Sequence, residues 1–431
     1  MTSRRRTPRA LPSRCYVYIT LPGQTKAVTA GKYELGVTLD GLPVGHFVYG
    51  RNYLSRADAV ELDPVELKLA PSVYETALQM GVFGAIRDAS PDYWGRLVIQ
   101  RHLGKSQLGE MDYLLLSPQD RPGALGFGLN EKPPAPVRDF NKTLHLGELQ
   151  SIAHRLAKDR PLRSQEAEQV EKLLLRGTTM GGARPKAVVE DDVGLWIAKF
   201  SHPKDTWNNA RVERAMLVLA KSCGISVADS KVQTVAGKDV LLVKRFDRER
   251  TKAGYLKCRM VSALTLLGAE ESPLLTREKW SYVRLAEELR RVSAEPRKDA
   301  IELFRRMCFN ALISNTDDHP RNHAILARSR AWRLSPAYDL TPSTPVSIEH
   351  RDLAMTVGDL GRYANAQNLL SQRRRFLLGE AEAQKIVADT EACVAKTWYN
   401  VARGEGVTPA DCKKINDAFV YPGFSFPLQI N

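Results

Sequence analysis

Hydrophobic and polar positions follow two different patterns along the chain, which predict a β-rich start that gives way to helices. Residues 16–19 and 34–39 have the character of strands, and Asp40-Gly41 after the second is a hairpin turn signal. Helical patterns follow at 72–79 and 93–102.

A proline-rich segment at 132–136 is the best linker candidate, because consecutive prolines suit an extended spacer. Beyond it, helices are predicted at 146–158, 164–175, 276–292, 296–314, 366–378 and 380–399. The chain is therefore divided into a basic flexible tail (1–14), a β-rich subdomain (15–137), a middle unit (138–255) and a mainly helical unit (256–431).

The composition is ordinary for a globular protein. With 431 residues, 43% of them hydrophobic and 26% charged, the chain can bury two or three cores. No apolar run approaches the roughly 20 residues of a membrane span, and the basic N-terminus lacks the apolar core of a secretory signal. The six cysteines are scattered, which predicts reduced thiols. We expect a cytoplasmic protein with no membrane partner.

The formal net charge of +14 predicts association with polyanions, of which nucleic acid is the usual one. Arginines are concentrated near the N-terminus and at 373–375. The sequence has no zinc finger, aromatic RNA-binding signature or clear helix-turn-helix. Auxiliary contact with a DNA backbone is therefore expected rather than sequence reading, although such basic segments are often simply solvated.

The most informative segment is 316–322, Thr-Asp-Asp-His-Pro-Arg-Asn, followed at 335–339 by Ser-Pro-Ala-Tyr-Asp. Two acids, Asp317 and Asp339, and the amide of Asn322 are the groups with which a nucleotide-dependent kinase orients a hydroxyl and holds metal ions. Oxygen ligands of this kind suit Mg²⁺. The same residue types also form turns, and the cluster alone would fit both interpretations equally.

A glycine-rich segment at 177–186 is the first of several upstream features that favour the kinase interpretation. Its backbone N–H groups could approach phosphate oxygens closely, and Arg184 and Lys186 add positive charge. It is not a Walker A loop, because it lacks the Gly-Lys-Ser/Thr ending.

Lys199 lies inside the apolar strand 193–200, where a lysine needs an acidic partner. Glu213, on the amphipathic helix 209–222, offers one, as in the strand-to-helix ion pair of protein kinases. The strand and charged segment at 239–248 stand where a kinase has the hinge that receives adenine. These elements occur in the order that a kinase requires.

Together these segments resemble those of the HipA family, the kinase half of bacterial type II toxin–antitoxin pairs. The resemblance covers most of the chain and is carried by residues 90–96 (Ser-Pro-Asp-Tyr-Trp-Gly-Arg), 123–127 (Gly-Ala-Leu-Gly-Phe), 181–186 (Gly-Gly-Ala-Arg-Pro-Lys), 245–248 (Arg-Phe-Asp-Arg), 316–322 and 336–339. It implies an α+β, two-lobed protein-kinase-like fold with a β-rich N-terminal accessory subdomain, a small lobe at 138–255 and a mainly helical large lobe at 256–431. The Asp-x-His-x-x-Asn order implies the phosphoinositide-3-kinase-like branch.

The resemblance also implies a role for each site residue. Asp317 would be catalytic with His319 bracing its loop, Asn322 and Asp339 would hold Mg²⁺, and ATP would be bound by Gly181, Gly182, Ala183, Arg184, Lys186, Lys199, Glu213, Lys244, Phe246 and Asp247. Family members commonly carry a self-phosphorylated serine two residues before the glycine pair. This chain has Thr179 there and Thr178 beside it, and both can in principle accept a phosphate.

The implied function is ATP-dependent phosphorylation of a serine or threonine on a translation component such as an aminoacyl-tRNA synthetase. A helix-turn-helix antitoxin of the HipB type is the implied partner, and DNA backbone would be contacted within that complex. Two alternatives stay open. One is a small-molecule or lipid kinase, and the other is a catalytically silent, DNA-associated co-regulator.

Overall fold

A computed structural model describes residues 13–105, 107–157, 184–344 and 347–428. These residues form a mixed α/β protein in which helices pack against two five-stranded sheets, beside smaller sheets of two and three strands. The predicted helix at 164–175 and the glycine-rich residues 177–183 lie outside the described residues.

The strands are numbered in chain order. They are β1 (Arg14–Thr20), β2 (Ala27–Val37), β3 (Pro43–Tyr49), β4 (Val73–Thr76), β5 (Leu125–Gly128), β6 (Asn141–Lys142), β7 (Lys186–Glu190), β8 (Leu195–Lys199), β9 (Ser230–Val235), β10 (Lys238–Lys244), β11 (Arg248–Thr251), β12 (Gly254–Lys257), β13 (Arg259–Ser262), β14 (Ala324–Ala327) and β15 (Arg333–Leu334). The sheet orders are β4-β3-β2-β1-β5, β6-β7-β8-β10-β9, β11-β12 and β13-β14-β15.

Helices connect and cover these sheets. They are α1 (Arg51–Leu54), α2 (Leu78–Gly81), α3 (Gly84–Asp88), α4 (Tyr93–Leu103), α5 (Glu110–Leu116), α6 (Leu146–Ala157), α7 (Asn209–Ser222), α8 (Ala263–Leu266), α9 (Pro273–Thr276), α10 (Tyr282–Val292), α11 (Pro296–Leu312), α12 (Ala366–Ser371), α13 (Glu380–Gly404) and α14 (Pro409–Ile415). Short 3-10 turns lie at Thr143–His145, Arg277–Lys279, Pro320–Asn322, Arg373–Phe376, Asn416–Ala418 and Pro422–Phe424.

The first sheet is antiparallel throughout and forms the β-rich start that the sequence predicts. Val17 and Ile19 of β1 are buried on its core side. The predicted turn at Asp40-Gly41 joins β2 and β3, and Gly41 has a φ of 78°, which glycine adopts without steric cost.

The helix predicted at 72–79 is wrong over most of its length. Residues 73–76 form β4, which pairs with β3, and only the short α2 follows. Val73, Tyr74 and Thr76 have the branched or aromatic side chains that suit a strand once a neighbouring strand supplies a partner. That pairing is long-range, so local spacing does not reveal it.

The second sheet carries the predicted lysine strand and hinge strand at its centre. On one face, Trp94 of α4 and Leu149 of α6 pack with Ala198 and Leu242. Helix α7 contacts β9 and β10. The sheet is therefore covered by α4, which precedes it in the chain, and by α6 and α7, which lie between its strands.

The C-terminal part is mainly helical, as predicted, but the helix boundaries differ. The helix predicted at 296–314 ends at Leu312, the helix predicted at 380–399 continues to Gly404, and two others are clearly shorter than predicted. The helix predicted at 276–292 begins only at Tyr282, where the Ser281 side chain accepts a hydrogen bond from the Arg284 N–H and caps it. The helix predicted at 366–378 ends at Ser371, and a 3-10 turn follows up to Leu377, whose φ is 60°. Local capping therefore shortens both helices.

The largest hydrophobic core joins distant parts of the chain. It includes Phe47 of the first sheet, Leu219 of α7 and Phe309 of α11. Residues 132–136 have neither helix nor strand. The division of the chain at residues 138 and 256 stays a prediction. Within the described ranges, every helix is too short or too polar to cross a membrane.

Candidate active site

Helix α11 leads into a compact loop that contains Asp317, His319 and Asn322. The helix ends at Leu312, and Ser314 follows with a φ of 52°, which turns the chain sharply. The backbone oxygen of Asp317 accepts hydrogen bonds from the His319 N–H (2.8 Å) and from Asn322 Nδ2 (3.2 Å). The five-residue spacing between Asp317 and Asn322 thus closes the loop on itself.

Asp318 anchors this loop to the protein core and is 1% exposed. Its carboxylate accepts a hydrogen bond from Asn310 Nδ2 (2.8 Å), lies 2.7 Å from His323 Nε2 and also accepts from the Tyr282 hydroxyl. Because a buried carboxylate is stable only when it is paired and hydrogen-bonded, these contacts fix the loop to α10 and α11.

The bracing role of His319 stays a prediction. Its Nδ1 atom is buried without a hydrogen-bond partner among the described residues, and its ring lies edge-on to Trp280 with centroids 6.4 Å apart. Asp318 and His323 make the hydrogen-bonded contacts that hold the loop, while His319 lines the cavities beside it.

The segment 335–339 lies against the same loop. The Tyr338 hydroxyl donates a hydrogen bond to the Arg321 backbone oxygen at 2.8 Å, which ties the two segments together. Asp339 has a φ of 60°, a conformation that a residue with a side chain adopts only when its surroundings impose it. Its carboxylate is thereby directed to the neighbouring sheet.

Two lysines of the second sheet face this carboxylate. Strands β7 and β8 are antiparallel, and their register places Lys186 directly opposite Lys199. Side chains at paired positions of neighbouring strands lie on the same face of the sheet. The glycine-rich segment therefore ends in a lysine that shares its face with the lysine of the predicted ion pair.

Lys199 connects the sheet, α7 and Asp339. Its Nζ donates to Glu213 Oε1 at 2.5 Å, as the sequence predicts, and to Asp339 Oδ1 at 2.6 Å. Burial disfavours the ammonium, but the two carboxylates outweigh it and raise the pKa of Lys199. Burial would likewise raise the pKa of Asp339, but Lys199 lowers it to about 2.

Lys186 is 3% exposed and is paired with an acid from the N-terminal part of the chain. Its Nζ donates to Asp92 Oδ2 at 3.3 Å, while Asp92 Oδ1 accepts from the Gly95 N–H and caps α4. The Trp94 indole N–H donates to the Lys186 backbone oxygen at 3.0 Å. Burial lowers the pKa of Lys186, and Asp92 partly offsets it. The segment 90–96 therefore holds Lys186 in place.

These residues surround a polar cavity of about 410 Å³. Its charged and amide lining includes Arg184, Lys186, Lys199, Glu213, Asp317, Asn322 and Asp339. A second cavity of about 160 Å³ shares Lys186, Lys199, His319, Asn322 and Asp339 with the first. Its other lining residues are the apolar or aromatic Pro122, Ile197, Val243, Phe246, Met260 and Tyr338 and the polar Asp88, Ser262 and Arg321. A charged chamber that contains both lysines and carboxylates thus adjoins a more apolar slot.

Asp317 is exposed in the polar cavity, and the pKa of its carboxyl group is raised. Displacement of water by the surrounding protein raises the pKa of this carboxyl group, His319 lowers it, and the carboxylates of Asp339 and Asp318 raise it again. The net shift is upward, which brings the group closer to the range in which a carboxylate accepts protons at neutral pH.

The predicted hinge residues Lys244, Phe246 and Asp247 differ in position. Phe246 lines the apolar slot, with its ring centroid 5.5 Å from that of Tyr338. Lys244 is directed to a separate cavity on the other side of the strand, where its Nζ lies 3.9 Å from Asp229 Oδ2. The predicted nucleotide contact of the Lys244 side chain is therefore wrong, because β10 directs alternate residues to opposite faces.

Asp247 is 2% exposed and its carboxylate is fully engaged away from the cavity. It accepts hydrogen bonds from Arg245, Arg248 and the Gly123 N–H. The predicted nucleotide contact of its side chain is wrong. Asp247 instead belongs to a buried ionic cluster, completed by Asp120, that joins the segments 120–123 and 245–248.

The rest of the glycine-rich segment can be placed only in part. Arg184 lines the polar cavity and pairs with Asp205 at 2.9 Å. Gly181, Gly182, Ala183, Thr178 and Thr179 lie outside the described residues. Their roles in nucleotide binding and self-phosphorylation stay predictions.

A chain of ion pairs links the loop to the segment 90–96. Arg321, in the loop, pairs with Glu271, which pairs with Arg87 at 2.7 Å. Arg87 and Arg96 both pair with Glu110, at 2.7 and 2.6 Å. Sequence reasoning assigned no role to these residues or to Asp92. The only signal was the concentration of acid, aromatic and arginine residues in 90–96.

No group of three or more His, Cys, Asp or Glu side chains with metal-binding geometry occurs within the described ranges. Asn322 and Asp339, which line the same cavity, offer two oxygen ligands instead. Mg²⁺ commonly uses one or two carboxylates together with water and substrate phosphates.

A family model described as the HipA-like C-terminal domain matches residues 178–398, just over half of the chain. The chain belongs to the HipA-like family. The match includes the lysine strand, α7, the loop at 316–322 and Asp339, and thus covers the residues that surround the polar cavity.

Two curated relatives come from Sinorhizobium fredii (strain NBRC 101917 / NGR234). The chain is 30% identical over 164 residues to "Putative kinase Y4mE", covering 38% of each protein. It is 27% identical over 212 residues to "Putative kinase Y4dM", covering 46% of the chain and 49% of the relative. The chain thus spans less than half the length of either relative.

A solved structure resembles nearly the whole chain. The HipA protein of Shewanella oneidensis MR-1, determined in a complex with HipB and its operator DNA, aligns with a TM-score of 0.67 over 93% of this chain and 95% of that chain. The sequence identity is 17%, so the similarity is one of fold.

Proposed function

We propose that this HipA-like protein is an ATP-dependent kinase that phosphorylates a serine or threonine hydroxyl of a protein. The observation that carries this proposal is the position of Lys199, which binds the carboxylates of Glu213 and Asp339 at the edge of a cavity that also contains Asp317. Phosphoryl transfer depends mainly on positioning and on charge stabilisation, and this arrangement provides both.

The two lysines would neutralise the phosphates of the nucleotide. Lys186 and Lys199 lie on one face of the sheet and line both the polar cavity and the apolar slot. An adenine ring would occupy the slot between Ile197, Val243 and Phe246, because the slot is apolar and opens beside the lysines. In a two-lobed fold this cleft would lie between the lobes, and the Asp-x-His-x-x-Asn order of the loop favours the phosphoinositide-3-kinase-like branch.

Asn322 and Asp339 would hold Mg²⁺, which when bound neutralises and orients the phosphates. Two observations fit this assignment. Lys199 holds the pKa of Asp339 at about 2, so the group is a carboxylate at neutral pH. The amide Nδ2 of Asn322 is engaged by the Asp317 backbone, which leaves its Oδ1 as the ligand atom.

Asp317 would orient the acceptor hydroxyl and receive its proton. It is exposed in the cavity, whereas its neighbour Asp318 is committed to hydrogen bonds. Its raised pKa suits transient proton acceptance. The exposure of Asp317 also leaves room for a protein segment to approach.

The biological role would be that of a toxin in a toxin–antitoxin pair. The fold shared with a HipA protein solved with HipB and operator DNA, together with the net charge of +14, supports a helix-turn-helix antitoxin and DNA backbone contact. A translation component, such as an aminoacyl-tRNA synthetase, would be the substrate. Phosphorylation of Thr179 or Thr178 would silence the kinase by placing negative charge where phosphates bind.

Expression of wild type, Asp317→Ala and Asp192→Ala side by side, followed by comparison of phosphoproteomes, tests the kinase proposal. Asp192 is an exposed turn residue and serves as the matched control. We expect new phosphoserine or phosphothreonine sites and growth arrest with wild type and Asp192→Ala only. Phosphate incorporated into metabolites or lipids but not into lysate proteins would favour a small-molecule kinase. Growth arrest that persists in Asp317→Ala would favour a silent regulator.

A further inference from the structure

Two thiols lie in contact at the junction of α7 and α13. Cys223 directly follows the last residue of α7, and Cys393 lies near the middle of α13. Their Sγ atoms are 2.8 Å apart, although the residues are 170 positions apart in sequence. Both are free cysteines.

Both thiols are also within reach of solvent. Cys223 and Cys393 are half-buried, and their neighbours Ser222, Gly224 and Ala392 are exposed. The remaining cysteines, Cys15, Cys258, Cys308 and Cys412, are buried. The pair at the α7–α13 junction therefore combines mutual contact with access for a small reagent, which is what thiol–disulfide exchange requires.

We propose that Cys223 and Cys393 are a redox modification site, at which a low-molecular-weight disulfide such as oxidised glutathione forms a reversible intramolecular disulfide. One of the two thiols, as its thiolate, attacks one sulfur of the oxidant and releases one reduced thiol. The other cysteine then attacks the protein sulfur of the mixed disulfide and releases the second. The protein loses two electrons and two protons, and one oxidant becomes two thiols.

The contact between the two sulfur atoms favours the second step. Once either thiol carries the mixed disulfide, the other thiol already lies next to the sulfur that it attacks.

The disulfide would join two helices that support the candidate active site. Helix α7 carries Glu213, ten residues and about 15 Å before Cys223, and α13 packs on α11, which leads into the loop of Asp317. A cross-link between α7 and α13 would fix the position of Glu213 relative to that loop. This inference does not depend on the proposed kinase activity.

Thiol mapping of the full chain tests the proposal. The protein is equilibrated with glutathione buffers of increasing oxidised fraction, alkylated under denaturing conditions, digested and analysed by mass spectrometry. We expect one peptide pair linked through Cys223 and Cys393, lost on addition of dithiothreitol, and a higher Tm for the oxidised form because the cross-link constrains the unfolded chain. Alkylation of both thiols at every ratio, or linkage to other cysteines, would overturn it.

Single substitutions test the two-step exchange. In Cys223→Ser and in Cys393→Ser we expect the remaining thiol of the pair to form a stable glutathione adduct, because the second thiol is gone. In the control Cys412→Ser the cross-link should form as in wild type. Absence of an adduct in both single variants would contradict the exchange mechanism.

Discussion

Asp317 and Asp318 are adjacent in sequence but lie in opposite environments. Asp317 is exposed in the polar cavity, whereas the Asp318 carboxylate is buried among Tyr282, Asn310 and His323. The backbone of the loop turns between them, so one acid faces the cavity and the other faces the core. Asp317 is thus available for chemistry, whereas Asp318 stabilises the loop.

Substitution of these two residues by alanine should therefore have opposite effects. Asp317→Ala should reduce phosphoryl transfer by about 10²–10⁴-fold and change the free energy of unfolding by less than about 0.5 kcal/mol. Asp318→Ala should cost roughly 3 kcal/mol of stability, because it leaves buried donors without an acceptor. Urea unfolding and a phosphate-transfer assay on both variants measure this contrast. Equal stability losses in the two variants would contradict it.

The ion pairs of Lys199 predict a second result. Lys199→Met should lower kcat/KM for ATP by about 10²–10³-fold, as does removal of a group that stabilises developing charge. Lys199→Arg should not restore activity, because a planar guanidinium cannot take the place of an ammonium held between Glu213 and Asp339. Lys238→Met, at an exposed position of β10, is the control. Activity of Lys199→Met close to that of Lys238→Met would exclude Lys199 from the site.

The predictions from sequence succeed where chemistry is local and fail where contacts are long-range. The pairing of Lys199 with Glu213 follows from a lysine in an apolar strand and an acid on an amphipathic helix, and it is present. Lys199 has a second partner, Asp339, which is 140 residues away in sequence. No local pattern indicates this contact. Asp92, 94 residues from Lys186, was missed for the same reason.

The incorrect side-chain directions predicted for Lys244 and Asp247 also result from long-range contacts. Lys244 and Asp247 belong to a segment that was correctly recognised as a strand running into a charged stretch. Which face each side chain occupies depends on the register of β10 with β8 and on the buried partners of Asp247, Arg245 and Arg248. The sequence predicts the element, but only the packed structure determines the direction of its side chains.

Stability should depend on pH through Glu66. Burial raises the pKa of this carboxyl group to about 7, the Gly84 N–H that donates to it lowers the pKa, and Asp63 and Asp88 raise it again. The folded form therefore binds the proton more tightly than the unfolded form, and stability falls as the pH rises from about 4.5 to about 7. Neutral folded Glu66 is favoured at pH 5, whereas at pH 8 its ionised form is forced into a buried site.

Glu66→Gln isolates this effect, because glutamine keeps an oxygen for the Gly84 N–H and cannot ionise. Between pH 5 and pH 8, the free energy of unfolding of the variant should increase relative to that of wild type by roughly 2 kcal/mol. Glu34→Gln, at an exposed position of β2, should show no such trend. Urea unfolding at both pH values measures the difference. Parallel pH profiles for Glu66→Gln and wild type would show that Glu66 is not buried in its acid form.

The Asp92–Lys186 contact predicts a pH-dependent defect in nucleotide binding. Burial lowers the pKa of Lys186, and the Asp92 carboxylate opposes this shift. Asp92→Asn keeps an oxygen to cap α4 but removes the charge, so the pKa of Lys186 should fall further and its ammonium should be lost nearer to neutral pH. ATP affinity should then decrease on the order of tenfold at neutral pH and recover as the pH is lowered. Isothermal titration with ATP across this pH range measures it, with Asp192→Asn as the control. A uniform loss at every pH would show that Asp92 supports the fold near Lys186 without controlling its charge.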